Sequence, residues 1–164
     1  MGIISKSNFI NNSSSIGGIV AIITSTALNI SDTYFMYNKA VIYGDALYLS
    51  SIAKVNILNT YFINNSAISG GAIFMRYLNT SVNIAGSYFI NNSVSNGGTI
   101  YNIANGANDF LSLNISDFKF INDSAINSSG VIFINNTNKA MINNSTFINN
   151  DATGGGVFVI FEQI

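Results

Sequence analysis

The sequence predicts an all-β fold, a parallel β-helix of about six coils with about 27 residues in each coil. Three observations lead to this prediction: a Phe-x-x-Asn segment that recurs along the chain, a glycine pair at a fixed distance after it, and short alternating apolar runs before it. Residues 1–164 are expected to form a single domain, because the repeat fills all 164 residues.

Composition excludes several classes of protein. Charged residues make up 8% of the chain and apolar residues 48%, so the chain should fold. The net charge is −1 and the single arginine is Arg76, which argues against binding of nucleic acid. Cysteine and histidine are absent, so disulfides, thiolate metal sites and imidazole bases are excluded. No cofactor is predicted.

The first anchor of the repeat is the phenylalanine of Phe-x-x-Asn. Successive copies are 26, 27, 27, 31 and 27 residues apart. Residues at such a constant spacing should lie directly above one another, separated by the ~4.8 Å between neighbouring strands. The members of this stack are Phe9, Phe35, Phe62, Phe89, Phe120 and Phe147.

A polar column is predicted three residues after the phenylalanines. Its asparagines are Asn12, Asn38, Asn65, Asn92 and Asn150. We expect each amide to donate to the coil above and to accept from the coil below. The remaining copy has Asp123 instead, which lacks the donor and should break that half of the ladder.

The second anchor is a glycine pair eight or nine residues after the phenylalanine, degraded in two of the six copies. We expect the glycines to provide positive φ or close backbone approach at a corner. The second glycines of the intact pairs are Gly18, Gly71, Gly98 and Gly156. Apolar runs after each pair, and apolar residues seven and five positions before each phenylalanine, predict about three strands per coil.

Residues 62–67 (Phe-Ile-Asn-Asn-Ser-Ala) and 70–74 (Gly-Gly-Ala-Ile-Phe) resemble the repeat pair of two families: the polymorphic outer membrane proteins of chlamydiae and the adhesin-like surface proteins of methanogenic archaea. The resemblance spans the chain. It implies a right-handed β-helix used for attachment, at the cell surface or outside the cell, and does not imply a named ligand. We expect a carbohydrate or a host or cell-surface protein as partner. We find no export signal, anchor or barrel and expect a fragment flanked by further coils of a longer parent chain.

Three functions are compatible with this pattern. The leading one is a non-enzymatic, adhesin-like module for attachment or display. The alternatives are a fragment of a carbohydrate-active, pectate-lyase-like β-helix enzyme and a structural spacer. No catalytic residue is predicted, since Asp32 and Asp117 should lie three coils apart. Asp109, Asp117 and Asp123 form the best carboxylate group, which is explained more simply by turn residues than by a calcium site.

Candidate ligand contacts lie at two places. Tyr34, Tyr61 and Tyr88 precede successive phenylalanines and should point outward, as a strip for sugar rings or as cross-strand packing alone. The longer fourth interval should protrude as a loop near residues 102–109, including Asn105, Asn108 and Asp109.

The residue after each phenylalanine is apolar, and we expect a backbone bend to bury this stripe rather than a partner to cover it. Its members are Ile10, Met36, Ile63, Ile90, Ile121 and Ile148. No transmembrane segment is predicted, because the apolar stretch at 17–28 is shorter than a membrane span.

Overall fold

The computed structural model describes residues 1–44, 46–78, 80–103, 111–127 and 131–162. Every regular element in this part of the chain is a β-strand, and each strand pairs in parallel with its counterpart one repeat away. The predicted parallel β-solenoid is therefore confirmed, with five complete turns between Phe9 and Phe147. Its right-handed sense stays a prediction. The described residues include no helix with the length and apolarity needed to cross a membrane.

The coils have four strand positions, one more than the prediction of about three, and the long strand Ile132–Asn143 covers two of them in one coil. The strands before the phenylalanines, here called side 1, are Gly2–Ser5, Leu28–Ser31, Lys54–Leu58, Thr80–Ala85, Leu111–Ser116 and the second part of Ile132–Asn143. The phenylalanine strands, side 2, are Asn8–Ile10, Tyr34–Met36, Tyr61–Ile63, Tyr88–Ile90, Lys119–Ile121 and Thr146–Ile148.

The strand that the sequence analysis missed follows the asparagine column. This side 3 consists of Ser13–Ser14, Lys39–Tyr43, Ser66–Ser69, Ser93–Asn96, Ser124–Ala125 and Asp151–Ala152. The strands after the glycine pairs, side 4, are Val20–Ser25, Leu47–Ile52, Ile73–Arg76, Ile100–Ile103, the first part of Ile132–Asn143 and Phe158–Glu162. Side 3 has only two to five residues per coil and no regular apolar alternation, so the sequence pattern did not predict it.

The core is a continuous file of side chains down the solenoid axis. Neighbouring rings of the phenylalanine stack lie 4.7–5.2 Å apart and are nearly parallel. Phe62 and Phe89 are vertical neighbours at 4.8 Å, as predicted, and both are fully buried. Burial of one such ring contributes about 1.5–3 kcal/mol, so the stack is a main source of stability.

Corners between the sides are made by residues in the left-handed region. The corner between sides 1 and 2 uses Lys6, Asp32, Asn59, Gly86, Asp117 and Asn144, all with positive φ. The corner between sides 2 and 3 uses Asn11, Tyr37, Asn64, Asn91, Asn122 and Asn149. Asn, Asp and Gly tolerate this conformation better than other residues, which explains their abundance at these two positions.

The two glycines of a pair have different tasks. Gly70 has φ +72°, a conformation that disfavours side chains. Gly71 instead lies against the next coil, where its N–H donates to the Gly98 carbonyl at 2.8 Å and a Cβ would come within 2.6 Å of that oxygen. The expectation of positive φ or close approach is confirmed, one at each glycine. At Gly156, in the last coil, the nearest atom to a Cβ is 3.5 Å away.

Candidate functional site

The predicted asparagine ladder is present and is more extensively bonded than expected. Asn65 shows the pattern: its Oδ1 accepts from the backbone N–H of Asn38 at 3.1 Å and from the Asn38 amide at 3.0 Å. Its own Nδ2 donates to Asn92 Oδ1 and to the carbonyl of Phe35, both at 3.0 Å. Each amide thus satisfies groups in the coils on both sides, and the bond to the preceding phenylalanine carbonyl was not predicted.

Asp123 is the one rung of this ladder without a donor. Its Oδ1 accepts from the backbone and side chain of Asn92 at 2.7 and 2.9 Å. Its Oδ2 is buried and has no partner, where an asparagine would donate to the Phe89 carbonyl and to Asn150 Oδ1. Burial raises the pKa of Asp123 to about 7, although hydrogen bonds from Asn92 and from the backbone of Ile121 act against this rise. A proton on Oδ2 would supply the missing donor.

The three candidate tyrosines form a column on the outer face of side 2, as the sequence predicted. Tyr61 pairs with Tyr34 below and Tyr88 above, with ring centroids 4.7 and 4.8 Å apart and ring planes within 9° of parallel. Tyr34 is 38% exposed, and Tyr61 and Tyr88 are half-buried. Burial, followed by the adjacent phenols, raises the pKa of Tyr61.

Stacking decides what this tyrosine column can contact. Both faces of the Tyr61 ring are covered by neighbouring tyrosines, and Lys119 places its Nζ 5.7 Å from the Tyr88 ring centre. A sugar ring therefore has no free aromatic face on Tyr61 against which to stack. The column offers ring edges and a row of phenol hydroxyls, which bind by hydrogen bonding.

The apolar stripe beside the tyrosine column is only partly buried. Ile10 and Ile148 are each 42% exposed, and Met36, Ile63, Ile90 and Ile121 are half-buried. The expectation that a bend would bury the stripe was wrong, because the left-handed residue comes one position later and leaves the stripe on the outer face. Side 2 therefore presents tyrosines and aliphatic side chains together.

Of the remaining carboxylate candidates, Asp117 and Asp123 lie in the described part of the chain and have different surroundings. Asn105, Asn108 and Asp109 lie outside the described residues. Asp117 is exposed at a left-handed corner, where it accepts a hydrogen bond from Asn144, whereas Asp123 is buried in the ladder. Within the described ranges no three His, Cys, Asp or Glu side chains are grouped as metal ligands.

A second aromatic column on the outer face of side 4 was missed. Tyr48, Phe74, Tyr101 and Phe133 occupy equivalent positions there, with ring centroids 5.1–5.6 Å apart. The first three lie beside glycine corners, as at Gly17, where a Cβ would contact the Tyr48 ring at 3.6 Å. The aromatic residue at the third position of four of the six apolar runs was the available signal. Arg76 lies beside this column.

Comparisons with models of protein families, with curated proteins and with solved structures found no match.

Proposed function

We propose that this chain is a non-enzymatic, adhesin-like attachment module at the cell surface or outside the cell. Its contact surface is the outer face of side 2. The observation that carries the proposal is the column of Tyr34, Tyr61 and Tyr88, which repeats one hydrogen-bonding group at intervals of 4.7–4.8 Å along a flat, partly apolar face.

Side 2 combines properties that favour extended ligands. Its hydroxyls and aliphatic side chains recur in register, so a polymeric ligand lying along the axis makes the same contact at several coils. Individually weak contacts that are made together give useful affinity. A rigid solenoid also needs little ordering on binding, which reduces the entropic cost. A glycan or an extended cell-surface protein fits this description.

The test exploits the difference between ring faces and hydroxyls. Replacement of all three tyrosines by phenylalanine keeps the ring stack and removes the hydroxyl row. We expect this triple variant to lose at least tenfold in binding to glycans or cell-surface proteins that the full chain recognises on an array. Tyr101→Phe, on side 4, is the matched control and should bind as the parent does.

Four outcomes would contradict the proposal. Unchanged array binding by the triple variant would remove the tyrosine column as the contact surface. Deletion of residues 105–108 tests the loop separately, and loss of binding there alone would move the site to the loop. Absence of any ligand on glycan and protein arrays would favour the structural spacer, and turnover of a polysaccharide would favour the enzyme alternative.

A further inference from the structure

The outer face of side 4 holds a cavity that shares no lining residue with the tyrosine column on side 2. Its volume is about 330 Å³, within the range of small-molecule sites. The walls are mainly aliphatic and aromatic, and one cationic side chain completes the lining. The residues that matter are Ile16, Ala21, Ile23, Tyr43, Tyr48 and Arg76.

Arg76 is the only arginine in the chain and is held by aromatic rings. Its Cζ lies 4.8 Å from the ring centre of Tyr77 and 5.5 Å from that of Tyr48. These cation–π contacts fix the direction of the guanidinium group. Its Nε is buried and has no hydrogen-bond partner. Within the described part of the chain, no carboxylate pairs with it.

A guanidinium beside an apolar wall, with no carboxylate partner among the described residues, has a specific chemical complement. Guanidinium binds carboxylate through two parallel N–H···O bonds, an arrangement that matches both partners. The wall formed by Ile16, Ala21 and Ile23 suits a hydrocarbon body, because it offers no hydrogen-bonding side chain.

We propose that this cavity binds a small organic acid, with the carboxylate on Arg76 and the apolar body against Ile16, Ala21 and Ile23. The single positive charge and the aliphatic wall favour a monoanion with a hydrocarbon chain over a phosphate or a polyhydroxylated acidic sugar. The site is independent of the surface on side 2, and its failure would leave the attachment proposal untouched.

The test is calorimetric titration of the full chain with hexanoate. We expect saturable binding of hexanoate. Hexanamide, which keeps the hydrocarbon and lacks the charge, and acetate, which keeps the charge and lacks the hydrocarbon, should each bind at least tenfold more weakly. Equal binding of hexanoate and hexanamide would overturn the assignment of Arg76, and no saturable binding of hexanoate would overturn the proposal.

Variants separate the two halves of the site. Arg76→Gln should weaken hexanoate binding at least tenfold, and Lys54→Gln removes one exposed positive charge on side 1 and should leave it unchanged. Ile23 is 64% exposed, so Ile23→Ser keeps the fold and should weaken hexanoate several-fold while acetate binding stays constant. Hexanoate affinity that is unaltered in both Arg76→Gln and Ile23→Ser would refute the site.

Discussion

Replacement of Asp123 by asparagine should stabilise the protein, and the gain should depend on pH. In the parent, Asp123 Oδ2 has no partner although the side chain is fully buried. An asparagine there would donate to the Phe89 carbonyl, as Asn92 donates to Phe62 and Asn150 to Phe120 at 2.9 and 3.0 Å. The variant would complete the ladder.

The magnitude follows from the pKa of Asp123, which is raised from 3.8 to about 7. At about 1.4 kcal/mol per pH unit, the difference corresponds to roughly 4 kcal/mol. Below pH 4 Asp123 is protonated in both the folded and the unfolded chain, so its burial as a carboxylate costs no stability. Between pH 4 and 7 the folded chain binds more protons than the unfolded chain, and stability falls as pH rises. Above pH 7 the full destabilisation remains.

Urea unfolding followed by circular dichroism at pH 4 and pH 8 measures this effect. Asp123→Asn should exceed the parent by about 4 kcal/mol at pH 8 and by less than about 1 kcal/mol at pH 4. Asp151→Asn, an exposed carboxylate in the next coil, is the matched control and should show no such pH dependence. A gain that is equal at both pH values would refute the account of a buried carboxylate.

Other substitutions test the remaining columns, each by urea unfolding. Gly71→Ala should destabilise by about 1–3 kcal/mol, because the Cβ meets the backbone at Gly98, whereas Gly156→Ala should be near neutral; equal effects would refute the close-approach argument. Asn65→Asp should place a buried carboxylate in a second rung, so the loss in the free energy of unfolding should be larger at pH 8 than at pH 4. An equal loss at both pH values would argue against this account of the ladder. Phe62→Ala should cost about 3–5 kcal/mol, since the ring is fully buried between two neighbours at 5.2 and 4.8 Å; a loss below 1 kcal/mol would contradict the stack.

The stacked columns of side chains could be predicted because they depend only on the number of residues between repeats. Equal separation along the chain puts side chains above one another whatever the shape of the coil, so the stacking of Phe62 on Phe89 and the ladder position of Asn65 followed from counting. The defect at Asp123 followed in the same way, from a change of one functional group in a repeated position.

Features that depend on the course of the backbone from one column to the next could not be predicted. The strand Ser66–Ser69 is set by the corner that Asn64 makes at φ +53°, which no apolar period marks. The apolar stripe stayed on the outer face and only partly buried, because each left-handed corner residue comes one position after it. The cavity at Arg76 depends on how far its guanidinium reaches toward the ring of Tyr48 in the coil below. The spacing of residues along the chain does not give that distance.

Irregular features meet in one coil, and this concentration predicts where the local stability of the solenoid depends on pH. The interval between Phe89 and Phe120 lengthens to 31 residues, and Asp123 replaces an asparagine in the same coil. Phe118 stands where Ser87 provides a hydroxyl one coil below. Phe118 is buried and stacks on Phe89 and Phe120 at 5.5 and 5.6 Å, so this coil gains apolar contact while its ladder loses a donor.

In a solenoid each coil contacts only the coils above and below it. A weak rung therefore lowers the free energy of local opening in its own coil and the adjacent coils more than in distant coils. Hydrogen exchange at pH 5 and pH 8, corrected for intrinsic rates, should show protection of the Asn92 and Ser124 amides falling with pH. Protection of Asn38 and Ser66, one rung apart in the regular part of the ladder, should remain constant. If all four amides lost protection equally, ionisation of Asp123 would be acting on the whole solenoid and the nearest-neighbour picture of its stability would be wrong.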